Sequence, residues 1–120
     1  MRIYSILAAC ALLVGGCSKE YEVPSALTVA ELPTALEKAF SSAAAERKEL
    51  VDRSIGALKE GKLPNALMVI ESLCAIPDLT PTQRTVATRA VLTLNQELQS
   101  AAAKGDKSAA DFQKLRQSSK

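Results

Sequence analysis

"GKLPNALMVIESLCAIPDLTPTQ" (residues 61–83) contains the punctuation that decides the fold. Gly61 can take the left-handed backbone conformation that closes a helix, and Pro64 sits where a proline opens one, because the first turn has no partner for its missing N–H. Between Pro64 and Pro77 the apolar residues Ala66, Leu67, Ile70, Leu73 and Cys74 recur every three or four positions. That spacing puts them on one face of a helix. Pro77 cannot continue that helix. Thr80, Pro81 and Gln83 then mark a new start, with the threonine hydroxyl and the glutamine amide spaced for a reciprocal capping box. One short stretch therefore predicts the end of one helix, all of a second and the beginning of a third.

The same periods extend outward in both directions. Upstream, Leu36, Phe40, Ala44, Val51, Ile55 and Leu58 form one stripe, which predicts a main helix over 34–60. The stretch "ERKE" (46–49) falls on its solvated side. Thr28 with Glu31 and Thr34 with Glu37 both have capping-box spacing, and Pro33 separates a short first turn or helix from the main one. Downstream, Ala87, Val91, Leu94, Leu98 and Ala102 predict a third helix ending at "KGD" (104–106). A short last helix near 108–117 offers Phe112 and Leu115 and ends in a frayed "RQSSK". No strand pattern competes. Alanine and leucine dominate the 48% apolar content while aromatics supply only 3%, which favours helix over strand. Short connections between helices favour antiparallel neighbours. The fold expected is all-α: a small antiparallel bundle, or an array of helical hairpins, with three to four helices over residues 28–120.

The first seventeen residues follow a different logic. A positive start, Met1-Arg2, precedes the apolar run "IYSILAACALLV" (3–14), which is shorter than the roughly 20 residues a membrane span needs. Val14, Gly15, Gly16 and Cys17 follow in order. This segment resembles a bacterial lipobox, with an aliphatic residue three before the cysteine and small residues between. The resemblance implies a signal peptide (1–16) cut after Gly16, a diacylglycerol on the Cys17 sulfur and a new, acylated amino terminus. Two or more acyl chains hold a protein firmly to a bilayer, at about 0.8 kcal/mol for each buried methylene. Ser18, in the place where the family's sorting rules read aspartate as inner-membrane retention, points to the outer membrane and the periplasm. Residues 17–27 would then form a tether, and the ten after the anchor reach roughly 30 Å when extended.

Removing Cys10 with the signal and capping Cys17 would leave Cys74 as a single thiol, read as a small buried hydrophobe or as one half of an interchain disulfide. The turn and helix containing Gly61, Leu63, Ala66 and Pro77 resemble half of a tetratricopeptide repeat. The flanking helices lack the rest of that pattern, and a repeat array needs about three units.

With no histidine in the chain, serine triads, cysteine–histidine pairs and the usual zinc sites each lack a component. No catalytic residue, metal ligand or cofactor is expected beyond the covalent lipid on Cys17. Fifteen basic and thirteen acidic residues are interspersed, without a basic face or stacking aromatics, so nucleic acid is not an expected partner. The expected role is a non-enzymatic envelope accessory or adaptor that binds a protein partner through helical surfaces. An alternative comes from the major murein lipoproteins, which this chain resembles in the serine after the lipidated cysteine and in its terminal lysine. It implies attachment of Lys120 to peptidoglycan. The "LRQSS" before that lysine departs from the family's aromatic-basic ending, and Pro33, Pro64, Pro77 and Gly105 interrupt the strict heptad repeat.

Overall fold

Two capping boxes and two glycine stops divide the chain into helices. The computed structural model describes residues 27–119. Val14, Gly15, Gly16, Cys17 and Lys120 lie outside the described residues. Thr28 opens the domain: its hydroxyl receives the Glu31 N–H at 3.3 Å and the Glu31 carboxylate receives the Thr28 N–H at 3.0 Å. A 3-10 turn, Val29–Glu31, leads directly into helix α1, Leu32–Ala39, with Pro33 in its first turn. Of the two possible starts, the chain uses Thr28.

Helices α2 (Ala45–Lys59), α3 (Leu63–Cys74), α4 (Pro81–Ala103) and α5 (Lys107–Ser118) follow, and no strand occurs among the described residues. Five α-helices thus stand where three or four were expected. The extra one comes from the predicted 34–60 helix, which breaks at Phe40–Ala44. Ser41 and Ser42 are the cause legible in the sequence, because serine hydroxyls compete with the helical backbone for its own groups. The Ser41 hydroxyl does donate to the Lys38 carbonyl at 3.1 Å. The break lets Phe40 turn into the core, 1% exposed, while Ala44, expected on the apolar stripe, is exposed.

Both glycine stops have the same geometry. Gly61 has φ +74°, its N–H donates to the Leu58 carbonyl, and the Lys62 N–H donates to the Ala57 carbonyl at 2.9 Å. Gly105 has φ +98° and repeats the pattern, with Asp106 N–H on the Ala101 carbonyl. These bonds satisfy the carbonyls a helix end would otherwise leave open. Asp106 then starts the next helix at once, its carboxylate accepting the Ala109 N–H at 3.0 Å. The Thr80 box is also present, with both reciprocal bonds at 3.1 Å.

Each helix from α2 onward packs on the next, and α1 closes the arrangement by packing on both α2 and α4. An ion pair between Arg47, early in α2, and Asp78, just past α3, shows that these two helices run in opposite directions. The same pair removes Arg47 from the solvated "ERKE" face on which it was expected. Helix α4 is the common support, touching α1, α3, α5 and the first turn. Its buried residues Ala87, Ala90, Leu94 and Leu98 meet Leu32, Leu36, Leu67, Ile70 and Leu73 in one core. Val91 and Ala102, predicted inward, are half-buried, and the buried face is turned toward Ala90 and Thr93. Thr93 tolerates burial because its hydroxyl donates to the Leu27 carbonyl at 2.8 Å. Leu27, placed by sequence at the end of the tether, already belongs to the domain. In α5, Leu115 faces solvent at 68% exposure instead of packing inward, and the helix continues through Ser118 where fraying was expected.

Helix α4 provides a stability comparison within one element. Leu94→Ala is expected to cost about 2–5 kcal/mol, the range for a truncated core leucine. Leu92→Ala, at a position 58% exposed, should stay within about 0.5 kcal/mol. Urea unfolding followed by circular dichroism measures both.

Candidate interaction site

Two concave features of the surface lie along α4, and two smaller ones lie between α1 and α2 and between α2 and α3. Between α4 and α5 runs an open groove of about 330 Å³, lined by Asn95, Leu98, Gln99, Phe112, Gln113 and Arg116 among others. Its walls are built by periodicity. Asn95 and Gln99 are four apart on α4, and Phe112, Gln113 and Arg116 are three and four apart on α5, so each set lines one side. Carboxamides carry both donors and acceptors, and a groove lined with them suits a neutral hydrogen-bonding chain such as a peptide backbone.

Arg116, which lines this groove, also forms an ion pair that joins two helices. Arg116 on α5 donates two bonds to Glu71 on α3, at 2.8 and 2.9 Å, one to each carboxylate oxygen. The planar fork of a guanidinium matches a carboxylate in this side-by-side geometry. The hydrogen bonds to Glu71 stabilise the charged form and raise the Arg116 pKa still further, so the cation is permanent. The guanidinium carbon also lies 5.5 Å from the centre of the Phe112 ring, within cation–π range. Glu71 and Arg116 are 45 residues apart. Nothing in sequence spacing pairs them, and their contact arises only because α4 supports both helices.

On the other side of Glu71 is a shallower depression of about 380 Å³, lined by Glu71, Cys74, Ala75, Thr88 and Val91. Cys74 is a free thiol here, half-buried at the last turn of α3 rather than sealed in the core. Burial, and then the negative charge of Glu71, push its pKa above the ordinary thiol value, with Arg84 opposing. A raised pKa keeps the sulfur protonated and weakly nucleophilic at neutral pH.

Compared with known protein families, curated proteins and solved structures, the chain matches none. The site is therefore characterised by its own chemistry. Among the described residues, no three or more Cys, Asp or Glu side chains converge as a metal-binding group would require. No described helix is long and apolar enough to cross a membrane. Met68, Leu92 and Leu115 are exposed large apolar residues, but they stand on three different helices. Isolated exposed residues of this kind are common on folded surfaces.

The state of Cys74 is open to direct measurement. At pH 8, iodoacetamide should alkylate the Cys74 peptide several-fold more slowly in the folded chain than in urea, as resolved by mass spectrometry. Equal rates would show a fully accessible thiol of ordinary acidity.

Proposed function

We propose that this chain is a lipoprotein of the bacterial envelope, anchored through Cys17, whose helical domain binds a protein partner and carries out no catalysis. The observation that supports this most is the run Val14-Gly15-Gly16-Cys17, closing an apolar stretch of signal-peptide length. Ser18 favours the periplasmic face of the outer membrane. Lipid anchoring would hold the domain within a tether's length of the bilayer, where a partner need only be captured locally. The groove between α4 and α5 is the surface best suited to that capture. It offers carboxamides for a partner's backbone, Phe112 for apolar contact and the Arg116 guanidinium. Ala66, one residue of the tetratricopeptide-like half-motif, is fully buried in α3. A small antiparallel bundle describes the domain better than a repeat array, since α4 alone spans 23 residues and supports three other helices.

Two measurements test this reading. Cells fed an alkyne-tagged fatty acid should label the wild-type chain, and Cys17→Ser should abolish the label and leave residues 1–16 attached. Normal processing of that variant would overturn the lipoprotein assignment. Separately, a photo-crosslinking amino acid at Gln113 should give a discrete protein adduct in intact envelopes, while the same group at exposed Lys59 should not. Recovery of a muropeptide on Lys120, with no such adduct, would favour a peptidoglycan-bound structural role.

A further inference from the structure

We propose that α5 is a hinged cover on α4, latched by the Glu71–Arg116 ion pair, and that it opens as a unit while the remaining helices stay folded. Three features support this, beginning with how little α5 buries. Ala109 is its single fully buried residue, and Phe112 is half-buried; α3 buries four residues and α4 six. Ala109, Phe112 and Arg116 are three and four apart, so one narrow face makes the attachment. A helix of twelve residues has little stability of its own in water, so what holds it must come from that face.

The connection is built to bend. Lys104, Gly105 and Asp106 are all exposed, Gly105 has φ +98°, and a side chain added there would meet nothing within 4 Å. The turn is held by backbone bonds at the end of α4 and by the Asp106 cap at the start of α5, with no side chain packed against Gly105. Opening here leaves the α1–α4 core intact, because the residues of that core, apart from Ala109, lie before Gly105.

The latch lies at the far end from the hinge. Arg116 reaches past α4 to Glu71, so the ion pair fastens the free end of α5 to a different helix from the one it rests on. The two side chains are 40% and 36% exposed, which makes the pair accessible to water and to salt. Partly exposed pairs are weak and screened, so this latch should shift the closed–open equilibrium only about three- to five-fold. That modest bias suits a cover which opens often. Opening would uncover Leu98, which is 2% exposed beside Phe112, and would turn the amide groove into an unobstructed face of α4.

Hydrogen exchange on the full chain, read by mass spectrometry, tests the proposal. Amides of residues 110–118 should exchange about ten-fold or more faster than those of 87–98, as a separately opening unit does. Raising sodium chloride from about 0.05 M to about 1 M should speed exchange in α5 about three- to five-fold, and leave 87–98 within about two-fold. Glu71→Gln should have the same effect and remove most of the salt response, and Arg116→Lys, which keeps the charge without the fork, should fall between. Equal protection of α5 and α4 would overturn the proposal. So would exchange in α5 that ignores both salt and Glu71→Gln, or a Glu71→Gln effect that appears equally in α4.

Discussion

Burial of one face of α4 is the constraint on which the described domain depends. Ala87 and Ala90 leave room for neighbouring backbones to come close, and Leu94 and Leu98 fill the space beyond them. Helices α1, α3 and α5 each rest on α4, and α2 joins through α3 and α1. With few aromatic side chains available, the chain cannot build a core from a handful of large groups. It uses many aliphatic contacts along a long central helix, each small, with Phe40 as the one fully buried aromatic among the described residues.

Buried polar groups follow the same economy. Ser54 is fully buried, and its hydroxyl donates to the Val51 carbonyl at 2.7 Å. Gln83 is enclosed while it completes the Thr80 box, and Thr93 is enclosed while it holds the Leu27 carbonyl. Each is satisfied by a backbone group, so burial costs little. Two of the three bonds are local and follow from helix geometry. The third spans 66 residues and is the tertiary contact that joins the start of the domain to the middle of α4.

Local chemistry was readable in advance and long-range pairing was not. Gly61, Pro64, Thr80, Pro81 and Gly105 act within a few residues of themselves, and the helix boundaries they mark appear within a residue or two of where they were placed. The 34–60 helix failed because its apolar stripe runs through Ser41 and Ser42 without a proline or glycine to announce a corner. Periodicity alone cannot distinguish one long helix from two that share a face. Thr93 was missed because a polar residue inside an apolar face looks misplaced until its acceptor is known. The candidate groove and its ion pair were the least legible part. Asn95, Gln99, Gln113, Glu71 and Arg116 are ordinary surface residue types, and only the packing of α3 and α5 on α4 brings them together. The amino-terminal signal proposed for residues 1–17 would, by contrast, be read by processing enzymes as a linear pattern, carried by residue order alone.

The bond between Thr93 and Leu27 has a mechanical consequence. A pull on the chain ahead of residue 27 enters the domain at the midpoint of its longest helix, through the Thr28 cap and the Leu27 carbonyl. The load passes first into α1 and α4, and the hairpin of α2 and α3 lies off that path. Force would therefore strip the first turn and α1 from the side of α4 before it separated α5 from α4. A domain loaded at its waist in this way can lose its leading segment under strain and still keep the groove between α4 and α5 in shape.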